Sequence, residues 1–346
     1  MINTYTFFDS PQNLLHKFVI AFFNKIETET SDFSENLFEK EFYDNLVSKH
    51  KGILRKSLKD IYEIIRHWEQ PRKTAFCDAI RNSNKIKDIC EGTVIPSKDT
   101  DIPDEVRELV KTFFLKLYED VLKGNIFKAI YGGRREHYRE FKKIVNNDFE
   151  FCPACGMVEM KTYEDKKTDQ YDHYLPKDVY PFSSVNFENL VPICADCNSL
   201  EVKSNKDVLS YTGKVFFPFD KNENEIDIEL RIETNNDDLS KIKWVIDYSC
   251  FNDREKEINA WKEIYNIESR HKTHISGRIS KWYKLYDEYM SDKDCIEDIP
   301  DIHKRARSYI RVKKNRKTLE KKTLVVLINT FDLKVREEKA NYSRFN

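Results

Sequence analysis

Cys152-Pro153-Ala154-Cys155-Gly156, Tyr171-Asp172-His173-Tyr174-Leu175-Pro176-Lys177, Phe187-Glu188-Asn189-Leu190-Val191-Pro192 and Cys194-Ala195-Asp196-Cys197-Asn198 follow one another between residues 150 and 200. Two CxxC pairs supply four thiolates, the number that a structural tetrahedral zinc takes. The start of the chain has neither a charged segment nor a continuous apolar one of the secretory kind. No apolar run reaches the roughly 18 residues of a membrane span. A cytoplasmic protein without membrane association is expected, and thiols stay reduced there. Of the eight Cys, Cys152, Cys155, Cys194 and Cys197 are then zinc ligands. Cys77, Cys90, Cys250 and Cys295 show no ligand spacing and read as ordinary thiols. A closed four-cysteine set leaves zinc no open position, so it is structural and not the catalytic metal. The separation of the pairs exceeds that of a compact zinc ribbon, so something is inserted between them.

Outward from this stretch the periodicity changes. Before it, Leu14 to Ile26, Ile53 to Trp68, Val106 to Val121 and about 134 to 145 place apolar residues at helical spacing. Pro71 ends the second pattern. Pro103, Asp104 and Glu105 open the third, and Gly124 is expected to cap its end. The aromatic stripes read as core. After it, Ile226-Ile228-Leu230-Ile232 and Ile242-Trp244-Ile246-Tyr248 alternate with polar residues, as an antiparallel pair with one wet face does. Helical spacing returns from Asn252 onward. His271 and His274 lie one turn apart without a carboxylate or Cys partner and read as a surface or half-buried pair. His16, His50, His67 and His137 sit among helical stripes and call for no special role.

Lys plus Arg number 59 and Asp plus Glu 60, which excludes a protein coated in positive charge but not a local patch. None of the eight Gly falls in a GxGxxG or GxxxxGK pattern, which rules out those phosphate-cradling loops.

Together, Asp172-His173, Asn189-Leu190, both CxxC pairs and Asn198 resemble, in order, the HNH nucleases, whose core is the ββα-metal or His-Me finger. The resemblance covers about residues 148 to 208. With the periodicities on either side, it implies an α+β chain: mostly helical, with a central ββα-metal finger stabilised by a four-cysteine zinc, then an antiparallel strand pair and C-terminal helices. The implied division is a helical region at 1–147, the finger at 148–210, strands at 211–250 and a helical region with a basic segment at 251–346.

The resemblance also implies roles. His173 matches the general base. Asp172 and Asn198 match the protein ligands of a catalytic Mg²⁺ or Mn²⁺. The amide oxygen of Asn198, where many relatives have His, favours such a hard cation. Asn189 matches the residue that bridges the loop and holds the base. The helix after the second CxxC pair would present Lys203 and Lys206 to phosphate, and Leu175-Pro176-Lys177 with Tyr180-Pro181 resembles a bacterial subgroup signature. Lys177, Lys203 and Lys206 are thus nucleic-acid-binding candidates. The finger is acidic, with six Lys against ten Asp or Glu between Glu150 and Lys206, so further cations are expected elsewhere. His303 to Lys322 is the most basic run, with Arg311, Lys313, Lys314 and Arg316 as candidates. A weaker cluster is Arg134, Arg135, Arg139, Lys142 and Lys143.

The implied activity is hydrolysis of DNA phosphodiester bonds, in a setting of bacterial anti-phage defence. Lacking a phosphate loop, the chain would need a separate sensor or ATPase protein for energy-driven sensing. Two alternatives stand beside this: a zinc-stabilised nucleic-acid-binding or adaptor protein with an inactive finger, and an RNA-directed nuclease.

Overall fold

The structure is a computed structural model that describes residues 2–144, 147, 149–220, 226–234, 236, 238–250, 252, 254–312, 318–333 and 336. Its N-terminal region is helical, with α1 (Leu14–Ile26), α2 (Ser57–Ile65), α3 (Gln70–Asn82), α4 (Asp104–Lys116), α5 (Asn125–Tyr131) and α6 (Arg134–Lys143). Leu15, Phe18, Val19, Phe22, Phe23 and Ile26 of α1 form one buried stripe. Leu58, Ile61, Tyr62 and Ile65 of α2 form another. Pro71 sits in the first turn of α3, where its missing N–H costs nothing. Asp104 and Glu105 open α4, where negative charge complements the helix dipole. Gly124 differs from expectation. Its φ is −72°, and it precedes α5 as the N-cap instead of closing the previous helix in the left-handed region. That previous helix ends instead in a π-helical turn, Leu117–Val121.

Two antiparallel strand pairs are present among the described residues. β1 (Gln170–His173) pairs β2 (Leu190–Ile193), with Asp172 opposite Val191 and His173 opposite Leu190. β3 (Ile226–Thr234) pairs β4 (Lys243–Cys250), with Leu230 opposite Ile246 and an irregularity between Ile232 and Thr234. Ile226, Ile228, Leu230, Trp244 and Ile246 point inward as the alternation requires. Then follow α7 (Glu255–Ile264), α8 (Ile267–Ser276), α9 (Ile279–Ser291), α10 (Ile302–Val312) and α11 (Leu319–Leu327).

The helix expected after the second CxxC pair does not form. Residues 195 to 205 are a succession of turns, and Ser204 has a φ of +41°. Asn198, Ser199, Ser204 and Asn205 are residues whose side chains compete for backbone hydrogen bonds. The Lys203 side chain is moreover drawn inward, as described below.

The β1–β2 unit lies at the seam of two hydrophobic cores. Tyr171, Phe182, Val185, Phe187 and Leu190 join the core of the N-terminal helices. Leu175, Val191, Ile193 and the four cysteines join a second core with Trp244, Trp261, Tyr265 and Ile275. Leu190 and Val191 thus face opposite cores, which explains why β2 is buried throughout and carries no polar residue. The loop between the strands is tied to the helices. Ser184 Oγ donates to the Phe114 carbonyl at 2.7 Å, and Asn186 and Asn84 each donate to the other segment's backbone at 3.1 Å.

His137 of α6 fixes β1 from the other side. It shares a 2.5 Å hydrogen bond with the Tyr171 hydroxyl and lies against the rings of Phe8, Phe141 and Phe187. Burial lowers its pKa to about 3. The unfolded chain takes up this proton as pH falls below about 6.5, while the fold refuses it until about 3. Its contribution to stability is therefore whole above pH 6.5 and declines below it. Urea unfolding should show a lower midpoint at pH 5 than at pH 7.5, with His137→Phe shrinking the difference. Equal pH sensitivity in the variant would show that His137 does not contribute to it.

Candidate metal centre and catalytic site

The four sulfurs of Cys152, Cys155, Cys194 and Cys197 lie within 4.8 Å of one another, and all four residues are buried. Cys155 Sγ and Cys194 Sγ are 4.0 Å apart. A disulfide needs about 2.05 Å, whereas zinc bonds of about 2.3 Å in a tetrahedron put sulfurs roughly 3.8 Å apart. The cluster has the chemistry and size to hold a zinc ion. The first knuckle turns at Gly156, whose φ is +67° and whose N–H donates to the Cys152 carbonyl at 2.7 Å. A side chain there would be strained and would meet Ile2.

The C-terminal helices brace this cage. Trp261 Nε1 of α7 donates to the Ala154 carbonyl at 2.7 Å. His271 of α8 is buried, with Nε2 2.9 Å from the Cys155 carbonyl and Nδ1 3.0 Å from the Tyr248 hydroxyl. Arg270 Nη1 donates to Cys197 Sγ at 3.4 Å, placing a positive charge beside a cluster that carries excess negative charge when ionised. No sequence signal marks these roles, and His271, expected at the surface or half-buried, is fully buried. Arg270 and His271 carry no ligand spacing, and only the docking of α8 brings them to the cage.

β1 ends in Asp172 and His173. Asn189 is fully buried and staples the intervening loop. Its Oδ1 accepts from the Leu175 N–H at 2.7 Å, and its Nδ2 donates to the Leu175 carbonyl at 3.0 Å and to Ser183 Oγ at 3.1 Å. It therefore shapes the loop that carries Ser184. The half-buried His173 donates from Nε2 to the Ser184 carbonyl at 2.9 Å. A carbonyl only accepts, so this bond places the proton on Nε2 and leaves Nδ1 as a lone-pair acceptor in the neutral ring. Burial, with the nearby Lys177 and Lys203 ammonium groups adding to it, lowers the pKa of His173 to about 3.

Asp172 is buried with Lys203. The Lys203 ammonium lies 2.9 Å from each carboxylate oxygen and donates at 2.8 Å to the His173 carbonyl. Burial raises the Asp172 pKa, and Lys203 opposes that rise. Asp172 Oδ2 has no well-directed hydrogen bond. Lys203→Met should destabilise the fold by about 3–5 kcal/mol in urea unfolding, because it strands a buried carboxylate. Asp172→Asn in the same chain should recover much of that loss. A single variant within about 1 kcal/mol of the parent would contradict this account.

The structure separates the remaining candidates. Asn198 is half-exposed and donates from Nδ2 to Gln170 Oε1 at 2.8 Å, leaving its amide oxygen as an acceptor. Lys177 is paired with Glu119, and Lys206 donates to the Ile264 carbonyl at 3.3 Å. Arg311 lines grooves made by C-terminal helices alone, with no residue of the β1–β2 unit. Lys313, Lys314 and Arg316 lie outside the described residues.

No family model matches the chain. Over 44 residues it is 43% identical to the Septu protein PtuB of Bacillus thuringiensis, a stretch amounting to 13% of this chain. The match spans 17% of that protein's own length. No solved structure matches. Among the described residues no helix is long and apolar enough to cross a membrane.

Proposed function

We propose that the chain is a metal-dependent HNH endonuclease that hydrolyses DNA phosphodiester bonds, with His173 as general base. The observation that carries this reading is the Nε2 bond to Ser184, which leaves Nδ1 free to take a proton from water. The imidazole is neutral at pH 7, and a phosphodiester anion entering beside it raises its basicity. Asn189 acts as a positioning residue, because it holds the loop whose carbonyl fixes the tautomer.

Two oxygen donors are candidates for a hard divalent cation. Asp172 Oδ2 is a buried anionic oxygen without a directed hydrogen bond, and Asn198 keeps its amide oxygen. These two residues would hold Mg²⁺ or Mn²⁺, and Lys203 would share Asp172 with it. Such an ion, when bound, stabilises charge on the phosphate. The four-cysteine cage binds zinc in a structural role. The setting is defence against phage, alongside a separate sensor or ATPase partner, a reading supported by the short likeness to the Septu protein PtuB.

Plasmid cleavage tests the activity. Purified protein should nick DNA with added Mg²⁺, lose this in a weak chelator that leaves zinc bound, and regain it on Mg²⁺ addition. Failure to cut with any divalent ion, while zinc is retained, would favour the adaptor reading.

A further inference from the structure

Beside the candidate base, Lys123 and Arg134 of the N-terminal region gather with Lys177 of the loop between β1 and β2. The Tyr118 ring, in the π-helical turn after α4, meets the His173 ring edge-on at 4.4 Å. Around the same ring lie the charged ends of Lys123 at 4.9 Å, Arg134 at 5.2 Å and Lys177 at 5.3 Å. Arg134 is fixed by donating to the Tyr118 hydroxyl at 2.6 Å. Glu119 is the carboxylate that holds Lys123 and Lys177.

From this collar an open cleft of about 690 Å³ runs along the start of α6. Lys123, Lys128, Arg134 and Arg135 line it from the helical side, and Gln170 and Asn198 from the β1–β2 side. Lys128 and Arg135 are exposed and have no carboxylate partner among the described residues. The two acids of the cleft, Glu136 and Asp169, are held by hydrogen bonds. Glu136 accepts from the Gly133 N–H at 2.9 Å, and Asp169 accepts from the Tyr138 hydroxyl at 2.7 Å and the Lys161 N–H at 2.7 Å.

We propose that this cleft seats the sugar–phosphate backbone of the DNA substrate, so that the N-terminal helical body, and not the C-terminal basic run, supplies the cations that meet the strand next to the cutting site. The cleft is cationic on its helical wall, as a polyanion requires, and Asn198, one of the two residues assigned to the metal, is among the residues that line it. Arg134 and Lys123 are pre-positioned by Tyr118, while Lys128 and Arg135 are free to meet phosphates. The position of the cut bond rests on the nuclease reading. Binding along the cleft does not.

The test is fluorescence anisotropy with a labelled DNA duplex and no added divalent ion, in the full chain carrying His173→Ala. Lys128→Glu with Arg135→Glu should raise Kd about tenfold or more, and the slope of log Kd against log salt should fall by about 2 over roughly 50–200 mM salt. Unchanged zinc content and circular dichroism establish that the double variant is folded. Should it misfold, Lys128→Gln with Arg135→Gln gives the same readout with a smaller shift. Unchanged affinity and slope, or a parent that does not bind DNA, overturns the proposal. A chain that cuts DNA but binds it independently of these residues refutes the cleft alone. One that binds through the cleft but never cuts refutes the nuclease reading alone.

Discussion

Cys194→Ser is expected to abolish stoichiometric zinc and to unfold the centre of the chain. All four cysteines are buried in one core with Trp244, Trp261 and Tyr265, so the cage is part of the packing and not an appendage. Structural zinc contributes about 10–16 kcal/mol in small zinc peptides at pH 7, comparable to the roughly 5–15 kcal/mol of a whole domain. Losing one thiolate also leaves Arg270 beside a weakened cluster. Metal analysis should fall from one zinc per chain toward none, with a large drop in the urea midpoint. If the variant is insoluble, a strong chelator applied to the parent chain should produce the same unfolding. One retained zinc and an unchanged midpoint would refute the structural role.

His173→Ala should remove DNA cleavage while leaving zinc content and folding close to the parent. A positioned general base contributes roughly 10²–10⁴-fold, so residual nicking should lie near the detection limit. The side chain gives up one hydrogen bond, to the Ser184 carbonyl, and one ring contact, with Tyr118. The expected stability loss is about 1–2 kcal/mol, far smaller than for Cys194→Ser. Cleavage at the parent rate would remove His173 from the mechanism.

Much of the local structure is legible in the residues. The stripe of Leu15 to Ile26, the alternation of Ile226 to Ile232 and the paired cysteines each encode an interaction that repeats at the spacing of its own backbone. Gly124 and the turns at 195–205 were not legible, because local propensity there yields to neighbours distant in sequence. Lys203 shows why. Its charge suggests a surface residue facing phosphate, yet the fold buries the ammonium against a carboxylate 31 residues away, a pair that cannot be broken without stranding a buried charge.

By itself the sequence determined the four-cysteine set, the β3–β4 pair and the order of Asp172, His173, Asn189 and Asn198, since these are carried by residue type and short spacing. Tertiary structure alone decided what surrounds them: the proton position on His173, the burial of Lys203, the bracing of the cage by Arg270 and His271, and the cationic cleft at Tyr118. Each of these depends on contacts between segments from 11 to more than a hundred residues apart, and no local pattern encodes which distant charge or carbonyl a side chain will meet.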